Sequence, residues 1–343
     1  MRGVLLPGDK RVLIETFPEP TPGVGEVVIR VKASAICRSD LSLYYGNAVV
    51  GGDRAGKVIT GHEPSGVVEA VGDGVTFVRP GDRVAIHLAV GCGHCSACRA
   101  GNFHMCPSWE CLGFTMDGGN AEFLRVPERN CMLIPDELSF PAACVSTDAF
   151  GTLYSAVKKL GVNGNTTLAI FGLGPMGSAG VLAAKALGAR VIAIDPLEAR
   201  RDFALEMGAD HVLGADPEVV RTLRDMTGGL GVDAAIDCSG NGAAQNAALD
   251  ATRGFGRVAF IGEARETMIR PSDQFLRKQL TLIGSWYFGI AEYEEILRCI
   301  ISRQVPVERL ITHSFDLDDA AEAFRMFDAR QTSAKFAFSL SSP

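Results

Sequence analysis

The segment Ile170 to Gly177 reads IFGLGPMG, and what surrounds it restricts the fold more than any other stretch of the chain. Gly172, Gly174 and Gly177 have the G-x-G-x-x-G spacing, with Pro175 and Met176 between the last two. An apolar run, LAIFG from Leu168, precedes the glycines, and a helical pattern from Pro175 to Leu187 follows them. The next apolar run, RVIAID from Arg190, ends in Asp195. Further runs, DAAID from Asp233, RVAFIG from Arg257 and LTLIG from Leu280, alternate with helical text over Leu197 to Met207 and Gly242 to Thr252. Short apolar runs alternating with helices predict a parallel sheet covered on both faces. In that setting the glycines let the backbone turn tightly and approach a pyrophosphate at a helix N-terminus. An acid closing the second strand accepts hydrogen bonds from the adenosine ribose and repels a 2'-phosphate, which favours NAD over NADP. Arg200 and Arg201 are the residues through which a 2'-phosphate would be held instead.

The first third reads differently. Val27–Val31 (VVIRV), Gly66–Ala70 (GVVEA) and Asp82–Ile86 (DRVAI) are β-branched runs separated by Gly and Pro, as strands separated by turns should be. The last such run is Ala334 to Ser339, AKFAFS. With 343 residues and 47% hydrophobic composition, the chain has the length for about two domains and the apolar content for packed cores. A net charge of -7 without a basic run argues against a nucleic-acid partner. The uncharged run Leu168–Ala184 is interrupted by glycines and Pro175, as a strand, turn and helix would be, and no membrane span is expected. The opening MRGVLLPGDK holds only a short apolar stretch before Pro7, so a cytoplasmic location is expected.

Ten cysteines in such a chain point to metal ligands or catalysis rather than disulfides. Cys92, Cys95, Cys98 and Cys106 lie at steps of three, three and eight in GCGHCSACRAGNFHMC. Four thiolates around one ion form a closed tetrahedral zinc site that folds a loop and leaves no position for chemistry. A redox dithiol needs no second pair, and a nucleic-acid zinc ribbon conflicts with the charge. Cys37 in AICRSD follows a strand pattern, and His62 and Glu63 in TGHEPSG precede one. A thiolate and an imidazole are good zinc ligands, but a buried cysteine and a turn histidine are equally consistent with the spacing alone.

Taken in order, PEPTPGVGEVVIRVKASAICRSD, GHEPSGVVEAVGDGV, GDRV, the cysteine lobe, AFGTLYSAV and IFGLGPMG resemble the zinc-dependent medium-chain alcohol dehydrogenase family over nearly the whole chain. The resemblance implies an α/β protein with a β-rich GroES-like catalytic domain, residues 1–149 and 290–343, and a doubly wound Rossmann cofactor domain, residues 150–289. It implies a catalytic zinc held by Cys37, His62 and a third residue that falls on Asp148, with Cys144 the nearby rival. Glu63 would approach the metal as an exchanging ligand or stand just outside it. Ser39 would bond the substrate oxygen and pass its proton outward, and Arg38 matches a position that binds the cofactor pyrophosphate in some relatives. Certain relatives carry a histidine five residues after the catalytic cysteine to end the proton relay; this chain has Ser42 there. His87 would face the substrate or a pocket wall. Asp40 would orient its loop.

The implied reaction is hydride transfer between NAD and a secondary alcohol or polyol and its ketone, with two zinc ions per chain, one catalytic and one in the lobe. An amino-alcohol dehydrogenase of the threonine type is the alternative, as are a reductase working without zinc and an NAD-binding sensor. The expected partners are a small alcohol or carbonyl substrate and further copies of the chain, as a homodimer or homotetramer joined through Ile261–Ser285.

Overall fold

The computed structural model describes residues 1–48, 50, 52–329 and 333–340. The chain forms two compact units: Met1–Asp148 with Phe288–Ile301 and Ile311–Pro343, and Ala149–Tyr287 with Ser302–Leu310. The return to the first unit is therefore interrupted, because Ser302–Leu310 packs with the second.

The first unit is built on a seven-stranded sheet. Its path runs Ile311–Phe315, Lys335–Ser339, Glu26–Ile36, Glu63–Val71, Arg83–Ile86, Cys131–Leu133, and Phe123–Pro127 also pairs with Glu26–Ile36. Val27, Ile29 and Val31 pack against Val68, Val84, Ile86, Leu124 and Val126 on its apolar side. The register of the long central strand positions the chemistry. Ala35 lies opposite Glu63, and Ile36 lies opposite Phe336, so one step further Cys37 falls opposite Lys335. Strand side chains alternate between faces, so Ala35, Cys37, Glu63 and Lys335 share one face. A strand from Arg2 to Gly8 pairs with Arg11–Thr16 as a separate hairpin. The opening MRGVLLPGDK belongs largely to that hairpin.

The second unit is a six-stranded, all-parallel sheet in the order His211–Leu213, Arg190–Ile194, Thr167–Phe171, Val232–Asp237, Thr252–Phe260, Thr281–Gly284. Numbered along the chain this is 3-2-1-4-5-6, the doubly wound arrangement. Its central strands are largely apolar because both faces are covered, with Ala169, Ile192, Ala235 and Val258 fully buried. Among the elements outside the sequence expectation are the strand His211–Leu213 and the helix Val219–Asp225. Each is too short to show a period. The helix Pro175–Ala186 starts at Gly174, with Pro175 in its first turn. A Cβ on Gly177 would stand 1.9 Å from the Gly172 carbonyl oxygen, so only glycine lets this helix start so close to the strand.

Candidate active site and metal centres

Cys37 follows the central strand, and Asp40 starts the short helix Asp40–Tyr45 behind it. One Asp40 oxygen accepts the Cys37 N–H at 2.8 Å, and the other lies 3.1 Å from His62 Nδ1. Asp40 thus orients both residues at once, and it turns His62 Nε2 toward Glu63 and Asp148. Gly61 sets the turn before His62: its φ is +95°, and a Cβ there would lie 2.4 Å from Asn120 Oδ1. Asp148 follows the helix Phe140–Ser146, whose N-terminus Ser139 caps by accepting the Ala142 N–H.

The four side chains converge. Cys37 Sγ is 3.6 Å from Asp148 Oδ2, and His62 Nε2 is 3.9 Å from Asp148 Oδ2 and 3.7 Å from Glu63 Oε1. One ligand atom from each of Cys37, His62, Glu63 and Asp148 lies within 4.8 Å of every other, and all four residues are buried. Cys144 is buried in the preceding helix and is not in this set. Thiolate, imidazole and carboxylate are the donors zinc takes, and Glu63 Oε2 is a buried oxygen without a hydrogen-bond partner among the described residues. A zinc ion fits these residues.

The sequence pattern did not single out Lys335. It is fully buried, its ammonium bonds Glu63 Oε1, and it stands 3.8 Å from Asp148 Oδ2. Its only trace in the sequence is a lysine at the start of an otherwise apolar terminal strand. Burial opposes its charge, yet Cys37, Glu63 and Asp148 hold its pKa above the ordinary lysine value. Burial, with the charges of Asp148 and Cys37, raises Glu63 well above the usual carboxylate range despite Lys335. Burial also works against ionising Cys37, but Lys335 and His62 overcome it and lower the thiol. At His62 burial disfavours the charged ring, and Asp40 overrides it and raises the pKa.

Of the other candidates, Ser39 Oγ lies 3.3 Å from His62 Nε2, at the same group. Ser42 donates to the Ser39 carbonyl, so its hydroxyl is engaged within its own turn. Arg38 is exposed. His87 is buried with its two ring nitrogens 3.2 and 3.1 Å from the carbonyls of Ala89 and Phe288 and its ring edge-on to Phe103 and Phe288. It is packed as a structural residue, and burial lowers its pKa.

In the lobe, Cys92, Cys95, Cys98 and Cys106 place four sulfurs within 4.8 Å of one another, with no disulfide. Backbone N–H groups of His94 and Cys95 lower Cys92 to about 6, whereas burial pushes Cys98 up to about 12. Arg129 ties the lobe down by donating twice to the Gly91 carbonyl. A closed zinc site fits this set.

In the parallel-sheet unit, Asp195 is 2% exposed and joins the two strands at the glycine turn. Its Oδ2 accepts the Leu173 N–H at 2.8 Å and its Oδ1 the Leu197 N–H at 2.9 Å. Arg200 lies 3.5 Å from Oδ2, and its Nε is buried without a partner among the described residues. Arg201 donates to the carbonyls of Asp195 and Pro196. Space beside Gly174 is open, since a Cβ there would meet nothing within 4 Å. A dinucleotide fits these residues.

A β-rich unit with a thiolate–imidazole–carboxylate centre and a four-cysteine lobe, together with a doubly wound sheet, defines a class of zinc-site, dinucleotide-linked oxidoreductases. Family models agree: residues 23–136 match an alcohol dehydrogenase GroES-like domain, and residues 175–302 match a zinc-binding dehydrogenase. The chain is 32% identical over 328 residues to a sorbitol dehydrogenase of Bacillus subtilis, covering 94% of this chain and 92% of that protein. It is 33% identical over 338 residues to an L-threonine 3-dehydrogenase of Pyrococcus horikoshii, covering 95% and 94%. The solved structure of alcohol dehydrogenase TADH from Thermus sp. ATN1 superposes with a TM-score of 0.91 at 29% identity, covering 99% of this chain and all of that one. The chain belongs to the zinc-dependent medium-chain alcohol dehydrogenase family and is an alcohol dehydrogenase-like oxidoreductase. Among the described residues no helix is long and apolar enough to cross a membrane.

Proposed function

We propose that this enzyme interconverts a secondary alcohol or polyol and its ketone, using NAD(H), one catalytic zinc ion and one structural zinc ion per chain. The observation that carries the reading is the buried convergence of Cys37, His62, Glu63 and Asp148 donor atoms within 4.8 Å. Bound there, zinc supplies Lewis-acid polarisation of the substrate oxygen and makes the alcohol more acidic. Cys37, His62 and Asp148 would hold the ion, and Asp40, by accepting from Nδ1, keeps the lone pair of His62 on Nε2. The Ser39 hydroxyl, 3.3 Å from His62 Nε2, would accept the alcohol proton while giving its own to the cofactor ribose or to water. Ser42, turned onto its own backbone, does not extend the relay.

In the cofactor unit Gly174, Met176 and Gly177 present backbone N–H groups to the pyrophosphate, while Gly172 shapes the turn and Pro175 starts the helix. Arg38 is a further candidate contact for it. Asp195 binds the ribose. NAD is preferred to NADP because Arg200 is paired with Asp195 and Arg201 with backbone, which leaves Asp195 to repel a 2'-phosphate. The strand Thr281–Gly284 is at the sheet edge, and Met268 and Leu276, in the chain leading to it, are 85% and 72% exposed. This edge is the proposed joint of a dimer or tetramer. None of the ten cysteines forms a disulfide, which suits the reducing cytoplasm.

Initial rates of NADH formation over primary, secondary, polyol, benzylic and amino alcohols, each with NAD and with NADP, test the reading. The fastest turnover is expected with a secondary alcohol or polyol and NAD. Preference for an amino alcohol would move the assignment to the threonine type. No turnover by zinc-loaded protein would refute it.

A further inference from the structure

Lys335 has no part in the scheme above, yet it is a fully buried cation in contact with the metal-binding set. Burying an ammonium is costly unless it is paired, so its partners define its work. They are Glu63 Oε1 and, at 3.8 Å, Asp148 Oδ2. The Glu63 oxygen that Lys335 takes is the one facing the centre, 3.7 Å from His62 Nε2. The other oxygen, Oε2, has no partner among the described residues.

We propose that Lys335 is a positioning residue that holds the Glu63 carboxylate off the catalytic metal, so that the fourth coordination position stays open to the substrate oxygen. An open fourth position is what separates a catalytic zinc site from a closed structural one. Cys37, His62 and Asp148 then hold the ion, while Glu63 is kept in reserve, leashed by the ammonium. Without Lys335, Glu63 is free to turn its oxygen to the metal and complete a shell of four protein ligands. This inference rests on the catalytic-zinc reading of the site.

The experiment measures zinc affinity by chelator competition in the full-length protein, with the lobe zinc as internal reference. Absorption of the cobalt-substituted site reports its coordination. Glu63→Gln alone should change zinc affinity by less than about threefold, because the wild-type Glu63 is not a ligand. Lys335→Met should tighten zinc by about tenfold or more, the scale on which outer-shell residues act. It should also alter the cobalt spectrum and lower kcat. Adding Glu63→Gln to Lys335→Met should abolish that gain, and Lys335→Arg should behave as wild type. Three results would overturn the proposal: a loss above about tenfold in Glu63→Gln, no tightening in a folded Lys335→Met, or equal tightening in both Glu63 backgrounds. The last would show a general charge effect rather than a leash. If Lys335→Met fails to fold, Glu63→Gln still decides whether Glu63 is a ligand. Wild-type protein that holds zinc only in the lobe would instead refute the catalytic-zinc reading itself.

Discussion

Replacing Asp40 by Asn should disarm the catalytic metal site while leaving the fold and the lobe intact. Asp40 is fully buried, with one oxygen on the Cys37 N–H at 2.8 Å and the other 3.1 Å from His62 Nδ1. Asn has the same shape but only one oxygen. If that oxygen turned to His62, the Cys37 N–H would face an NH2 group, and a buried donor without an acceptor costs about 1–3 kcal/mol. The oxygen therefore keeps the Cys37 N–H, and the NH2 faces Nδ1. His62 must then accept at Nδ1 and carry its proton on Nε2, the atom that faces Glu63 and Asp148. A protonated Nε2 has no lone pair for a metal. Reversing the tautomer against the new contact costs on the order of 1.4–2.8 kcal/mol, or about 10–100-fold in zinc affinity, the range found for such outer partners. Chelator competition monitored at both zinc sites measures this. Catalytic-site zinc should weaken by that factor and lobe zinc by less than about twofold, with little change in the thermal unfolding of the zinc-free protein. Unchanged affinity at the catalytic site, or equal loss at both sites, would refute the argument.

Three other outcomes follow from the geometry. Gly61→Ala forces φ +95° on a residue with a Cβ and drives that atom to 2.4 Å from Asn120 Oδ1; urea unfolding should show a loss of about 1–3 kcal/mol or more, and a change below ~0.5 kcal/mol would contradict the crowding at this turn. Asp195→Asn removes the charge facing a 2'-phosphate and releases Arg200 to meet it, so the ratio of kcat/KM for NADP over NAD should rise by about tenfold or more; an unchanged ratio would take Asp195 out of cofactor selection. In zinc-stripped protein, iodoacetamide at pH 7 should label Cys92 before Cys98, because the first thiol is lowered to about 6 and the second raised to about 12. Labelling of Cys92 should slow as pH falls through about 6, where its thiolate is protonated, and mass spectrometry that found Cys98 labelled first would reverse the assignment.

The sequence shows most clearly what is local and periodic. The strands around IFGLGPMG are apolar because both faces are covered, so Thr167–Phe171, Arg190–Ile194 and Val232–Asp237 are legible as runs. Cys92 to Cys106 is legible because four ligands of one type lie in one short loop. Cys37, His62 and Asp148 are far apart in the chain, and only the resemblance to a family joined them before the sheet register did. Lys335 was hidden for the opposite reason. It sits 272 residues from Glu63, and nothing local marks it except polarity in an apolar strand. The three-residue strand His211–Leu213 is too short to carry a pattern, and it forms because its neighbour Arg190–Ile194 offers an edge. His87 could be read either way from sequence, and one of its two carbonyl contacts is to Phe288, 201 residues away.

The most direct test of the central claim is to titrate zinc back into stripped protein and follow NADH formation from a preferred secondary alcohol as a function of zinc bound per chain. With the two ligand sets seen here, the rate should stay near zero while the lobe fills and rise in proportion to occupancy of the Cys37–His62–Asp148 centre. Cys37→Ala should fill only the lobe and stay inactive. Full turnover with only the lobe filled, or in Cys37→Ala, would contradict the claim that a metal at this centre carries the chemistry.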